Sequence, residues 1–176
     1  MSRRVILIRA VNVGGAKLPM ADLKAIAADL GATDVATYIA SGNLVADVPG
    51  DPDDFDRALE KAIEQRFGYF REAISRTRDE LVAALDAHPF EVIEPKYSYV
   101  SFMLTAPTAK AVEAAADVPT GDDRWQVVGR ELHLRYANGA GRAELKDAQL
   151  LRALGRIPAT ARNLNTVRKL IDLAES

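Results

Sequence analysis

The chain has no cysteine and only two histidines, and these absences set the first limits on its chemistry. Without thiols there is no disulfide, no thiolate nucleophile, no iron–sulfur cluster and no Cys-ligated zinc. His88 and His133 stand far apart in the sequence, so no histidine-rich metal centre is expected, and no cofactor is implied. No apolar run approaches the roughly 18 residues of a spanning helix. Met1-Ser2-Arg3-Arg4 is followed by a short strand-like apolar run and not by the h-region of a secretion signal. The expectation is a cytoplasmic protein with no membrane partner. Neither sign of charge dominates: 23 Lys+Arg against 25 Asp+Glu leave a net −2, so a nucleic-acid coat is not favoured, although a local basic patch stays open.

What is present is an ordinary globular composition. The 176 residues, 48% hydrophobic and 27% charged, suit one domain or two small ones with a core that needs no staples. The most informative stretch is Ile8-Arg9-Ala10-Val11-Asn12-Val13-Gly14-Gly15-Ala16-Lys17. It joins an apolar run, Val5 to Ile8, to a helix opened by Pro19 and closed by Gly31. A glycine pair there permits φ > 0 or a close backbone approach, and free amides near a helix start suit an anion.

The run Val5–Ile8 reads as a strand buried on both faces. Met20, Leu23, Ile26, Ala27 and Leu30 form one helical face. Residues 34–39 are extended, Ser41-Gly42-Asn43 turns, and Leu44-Val45-Ala46 returns as a strand. Asp51-Pro52 caps and opens a helix whose inward face is Phe55, Leu59, Ala62, Ile63 and the stem of Arg66, ending at Gly68. Residues 69–77 are extended, with Phe70 and Ile74 inward. The order over residues 4–77 is strand–helix–strand–strand–helix–strand, the ferredoxin-like split βαβ unit. Thr77-Arg78-Asp79-Glu80 is a capping box for a helix burying Leu81, Val82 and Leu85, and residues 89–95 connect the halves.

The second half repeats this order. Val100, Phe102 and Leu104 face inward in a strand, alternating with Ser101 and Met103. Pro107 to Ala116 is a helix with Val112 inward, and Trp125–Val128 and Leu132–Tyr136 form a hairpin about Gly129-Arg130. After the loop 137–141 come a helix over 145–154, stopped by Gly155, and a last helix from about Arg162 to Leu173. The fold expected is α+β: two consecutive ferredoxin-like (α/β plait) units, antiparallel sheets with helices packed on one face. The first is residues 1–90, a ferredoxin-like unit plus a linking helix. The second is residues 91–176, a βαββα unit with a final helix.

In a split βαβ unit the first two strands run the same way and end at the same sheet edge. That brings Arg9, Asn12, Gly14, Gly15 and Lys17 to the rim that also carries Ser41, Gly42 and Asn43. Such a meeting of amides, hydroxyl, carboxamides and cations suits a phosphate or carboxylate. Each stretch alone is equally ordinary turn chemistry. No GxxxxGK[ST] or GxGxxG pattern is present, and no GxSxG elbow surrounds Ser41. Toward the C-terminus, Thr160 is read as the cap of the last helix, on which Arg162, Asn165, Thr166 and Lys169 share one polar stripe, with Asn163 beside it. Arg142 and Lys146 follow the glycine-rich loop 137–141, which reads either as a mobile clamp or as a plain charged tip. His88 reads as a helix-end residue and His133 as lying on a polar strand face. Asp51, Asp53, Asp54 and Asp56 are explained by capping and the helix dipole. Trp125 is read as core or interface.

The same residues carry a resemblance. Arg9 to Gly15 after Ile8 is similar to the LRGINVGG of the uncharacterised bacterial family DUF1697, and Thr37 to Asn43 is similar to its TYIQSGN. Pro19 to Leu23, Val127 to Glu131 and Thr160 to Val167 (like TTRNWNTV) follow in order. The resemblance implies two consecutive ferredoxin-like plaits and no established activity. Ala10 stands where that pattern has glycine, Leu164 where it has tryptophan, and Gly141 to Leu145 departs from its GRSKL.

Three functions are weighed on this basis. The first is binding of a small anionic, nucleotide- or phosphate-bearing ligand by Arg9, Asn12, the glycine amides and the Ser41–Asn43 turn, helped by Arg162, Asn165 and Lys169 if the two patches meet. The second is an enzyme acting on such a ligand, with Lys17 or Arg142 neutralising developing charge; no general base is evident. The last is single-stranded nucleic-acid recognition, which the missing aromatic RNP pattern disfavours.

Overall fold

Short apolar runs with β-branched residues make the strands, and helices with one apolar face cover them. The computed structural model describes residues 1–175. In chain order the elements are β1 (Ser2–Ile8), α1 (Met20–Asp29), β2 (Thr33–Thr37), β3 (Asn43–Val48), α2 (Pro52–Phe67), β4 (Ala73–Arg76) and α3 (Arg78–Asp86). They continue as β5 (Ser98–Met103), α4 (Ala109–Ala115), β6 (Arg124–Val128), β7 (Glu131–Arg135), α5 (Asp147–Ala153), β8 (Ala159–Asn163) and α6 (Leu164–Glu175). No helix among the described residues is long and apolar enough to cross a membrane.

The strands form two four-stranded antiparallel sheets, ordered β2-β3-β1-β4 and β6-β7-β5-β8. Each is the ferredoxin-like arrangement, so the expected fold class is what the chain adopts. The chain forms two compact units: Met1–Val82 with the described residues from Arg168 onward, and Ala83–Val167.

In the first unit Ile6, Ile8, Leu44, Ala46 and Val48 face Leu23, Ile26, Leu59 and Ile63 of the two helices. Each such side chain contributes about 1.5–3 kcal/mol on burial. Val5 and Leu7, on the opposite face, are equally buried, as a doubly covered central strand requires. The Asp51 carboxylate accepts the amides of Asp53 and Asp54 at 2.8 and 3.2 Å, and Gly68 closes α2 at φ +79°. The capping box of α3 is formed in both directions, Thr77 N–H to Glu80 and Glu80 N–H to the Thr77 hydroxyl.

The edge strand β4 is closed by α2. Ala73 N–H donates to Glu60 at 2.8 Å, Ala73 C=O accepts from Arg57 at 2.7 Å, and the two side chains pair at 2.8 Å. Two side chains thereby take the place of a neighbouring strand. In the second unit Met103, Leu132 and Leu134 meet Leu145, Leu150 and Leu154. Trp125 packs half-buried against that core.

Several local expectations are corrected. Residues 159–163 are a strand and not the start of the last helix, because they pair residue for residue with β5, from Tyr99↔Asn163 to Met103↔Ala159. The βαββα run is thus completed by a strand, and α6 starts at Leu164. Phe70 is exposed, since β4 begins only at Ala73 and residues 69–72 turn toward the loop after β1. Arg66 does not tuck its stem inward; its guanidinium reaches out to Asp22 at 2.7 Å. Ser101 and Met103 are buried along with Val100 and Phe102, because both faces of β5 are covered. Val82 and Leu85 are only half-buried, whereas Leu81 and Ala84 fill the inward face of α3.

Candidate functional site

The ends of β1 and β2 do meet at one rim of the first sheet, and a third segment joins them. Ile8 N–H donates to Gly42 C=O at 2.8 Å, and the Asn12 carboxamide donates to Ala40 C=O at 2.5 Å. From the approach to β4, the Tyr69 hydroxyl donates to Lys17 C=O at 2.5 Å and Arg71 Nε to Ala10 C=O at 3.3 Å. The rim is therefore residues 9–18, 38–43 and 69–72.

Two expected side chains and one glycine hold this rim together. Asn12 accepts from Leu18 N–H at 2.8 Å and donates to Leu18 C=O at 3.0 Å, a two-way clamp across the loop. Asn43 is fully buried and donates to Tyr38 C=O and to the Ser41 hydroxyl, each at 2.8 Å. Gly42 is demanded sterically: at φ +84° a Cβ would lie 2.7 Å from Val11 Cγ2 and 2.9 Å from Ile8 O. Arg9 pairs with Glu72 at 3.0 Å across the surface. An exposed pair of this kind is worth about 0–1 kcal/mol, so a stronger anion can compete for the guanidinium.

The backbone of the loop is unusual. Ala10, Asn12 and Gly14 have φ of +52°, +57° and +58°, with Val11 and Val13 on the negative side between them, and Gly15 follows at +92°. Backbone of alternating handedness is the kind that aims successive N–H groups toward one side. The amides of Val13, Gly14 and Gly15 bond to no other described residue, and all three residues are exposed. A Cβ on Gly14 or Gly15 would meet nothing within 4 Å, so the space over the loop is open. The exposed Lys17 ammonium has no partner among the described residues. Ala10 is strained at this φ, which glycine would reach without steric cost.

The C-terminal candidates are corrected in detail. Arg162 lies on β8, not on the last helix; it is buried and donates to Thr160 Oγ1 at 2.6 Å and to Ala161 C=O at 2.9 Å. Burial pushes its pKa down to about 10. Asn163, not Thr160, caps α6, accepting Thr166 N–H at 3.0 Å. Thr166 is buried, and only Asn165 and Lys169 of the four-residue stripe remain exposed on the helix.

Arg142 is exposed on a short 3-10 turn, and Lys146 Nζ is spent on Ala143 C=O at 2.9 Å. The loop 137–141 is not a free clamp. Buried Asp123 accepts the amides of Ala137, Glu144 and Leu145 at 2.9, 2.8 and 3.0 Å, and Gly139 abuts the Tyr97 ring.

Two groupings were hidden from sequence reasoning. His133 is fully buried, not on a solvated face, and its Nδ1 lies 3.0 Å from that of His88. The two histidines distant in sequence are thus in contact, although no group of three or more metal-ligating side chains exists among the described residues. Asp56 is buried as well and accepts the Ser75 hydroxyl at 2.5 Å, which in turn accepts from Arg4 at 2.9 Å. Capping and the dipole explain Asp51, Asp53 and Asp54 but not Asp56. The pairing of α2 with β4 that brings Asp56 and Ser75 together leaves no local signal in the sequence.

The fold and rim define the chain as a tandem ferredoxin-like protein with a glycine-bearing loop after its first strand. It belongs to the family described as "Protein of unknown function (DUF1697)", whose model matches residues 1–133. Among solved structures it is similar to the conserved bacterial protein SP0830 from Streptococcus pneumoniae, with a TM-score of 0.75, 18% identity and 98% of each chain covered. No curated protein matches it.

Proposed function

We infer that the loop after β1 is an anion-binding nest, and that the protein binds a small phosphate- or nucleotide-bearing ligand there. One observation carries this reading: the amides of three consecutive exposed residues, Val13, Gly14 and Gly15, are left without partners among the described residues in a stretch of alternating handedness. Leaving three donors together at a rim has a use when an anion collects them. Lys17 adds charge beside them, and Arg9 is available at the small cost of leaving Glu72. Asn12, Gly42 and Asn43 act by shaping the loop and not by touching the ligand.

The test is a titration of the full chain with inorganic phosphate, followed by amide NMR. Shifts at Val13, Gly14 and Gly15 that saturate in the millimolar range or below, and that weaken in Lys17→Ala, are the expected result. Silence at those three amides, or equal shifts across the whole surface, overturns the reading.

A further inference from the structure

Resting on that anion site, we propose that its ligand is an amphipathic anion, a phosphate carried on an apolar, ring-like body that lies against Val13, Ile39 and Phe70. Apart from Met1 at the end of the chain, these are the only large hydrophobic side chains among the described residues up to Val82 that stand exposed, at 60%, 51% and 47%. All three fall in the three segments of the rim. Elsewhere in this part of the chain large apolar groups are buried or half-buried, so their gathering here is not a general looseness of the surface.

The hydrogen bonds of the rim connect these positions. Val13 follows Asn12, whose carboxamide bonds Ala40, the residue after Ile39. Phe70 precedes Arg71, whose guanidinium bonds Ala10 C=O and lies 5.2 Å from the centre of the Tyr69 ring. Ile39 adds a second sign, for it is β-branched and yet sits at φ +49°. Such residues rarely adopt that conformation, and exposing the side chain as well gains the free protein nothing. Apolar walls beside a few fixed polar groups are the usual build of a small-molecule site. Here the fixed polar groups are amides and cations, which choose phosphate. The walls are two aliphatic side chains and one phenyl ring, which choose an apolar body over a sugar.

The experiment compares inorganic phosphate, ribose 5-phosphate and phenyl phosphate by amide NMR titration of the full chain, in the wild type, Ile39→Asn and Phe70→Ser. Phenyl phosphate should bind about tenfold more tightly than inorganic phosphate, from the apolar area it covers, and ribose 5-phosphate should show no such advantage. The two substitutions should bring the ratio of phenyl to inorganic phosphate affinity toward one. Asparagine tolerates φ > 0, so Ile39→Asn should melt no lower than the wild type, which separates lost contact from lost fold. Equal affinities for the phosphates overturn this inference and leave the anion site standing. A preference for phenyl phosphate that survives both substitutions overturns it too, since the wall then lies elsewhere. If no phosphate binds, this inference and the anion site fall together.

Discussion

His88 and His133, 45 residues apart in the chain, touch through their Nδ1 atoms at 3.0 Å. One ring must donate and the other accept, and the Nε2 atoms of both are buried without partners. His133 sits on β7 opposite Val100 and Gln126, and His88 meets the Phe90 ring edge-on at 5.6 Å. Burial lowers the pKa of both rings, and proximity to His88 helps bring His133 down to about 4. The pair is built to be neutral.

Acid should therefore weaken the fold through His133. Its folded pKa lies below the unfolded 6.5, so the contribution is fully present above pH 6.5 and is lost as pH falls from there toward 4. The full loss is about 3 kcal/mol. Urea unfolding midpoints between pH 7.5 and 4 measure it: the wild type should drop on acidification by more than His133→Gln. Parallel profiles would remove the histidine pair from the account.

Asp56 should act with the opposite sign. Desolvation raises its pKa from 3.8 to about 6, outweighing the Ser75 hydrogen bond and the nearby Arg4 and Arg57. The folded state thus favours the protonated acid, and stability is lost as pH rises from about 4 through 6. Asp56→Asn keeps an acceptor for the Ser75 hydroxyl and removes the charge; we expect it to gain about 1–3 kcal/mol at pH 8. A variant less stable than the wild type at pH 8 would show that the carboxylate is needed charged.

Ala10 offers a stabilising change. At φ +52° its Cβ is strained, and glycine at this position should raise stability by about 1 kcal/mol, against the usual 0.5–1 kcal/mol loss for Ala→Gly elsewhere. Thermal melts of Ala10→Gly beside Ala62→Gly in α2 should move in opposite directions.

Asp123 should be among the costliest surface-near substitutions. Three amides of the segment 137–145 depend on its carboxylate. Asp123→Asn replaces one accepting oxygen with a donor and should cost about 2–4 kcal/mol, since buried N–H groups lose their partners. Hydrogen exchange at Ala137, Glu144 and Leu145 should accelerate specifically; unchanged protection there would refute the role.

Much of the architecture is written in local pattern. The β-branched run at Val5–Ile8, the Asp51-Pro52 start and the Gly68 stop of α2 each state their conformation within a few residues. The meeting of Asn12 with the 38–43 turn was legible as well, because strand direction alone forces it. β8 was not legible: Thr160, Ala161, Arg162 and Asn163 carry no apolar alternation, and only pairing with β5 makes them a strand. The same holds for His88 with His133 and for Asp56 with Ser75. Those contacts depend on which elements lie side by side, information no window of sequence contains. The rim's third segment escaped for a related reason, as the reach of Tyr69 and Arg71 across to Lys17 and Ala10 has no local signature.

The Arg57–Glu60 strap over Ala73 has a consequence for assembly. A foreign strand approaching that margin would find its first docking position already filled, and would have to break an ion pair before zipping on. Fibril-like growth from the β4 side is thereby disfavoured at its initiating step, by two side chains that come from a helix.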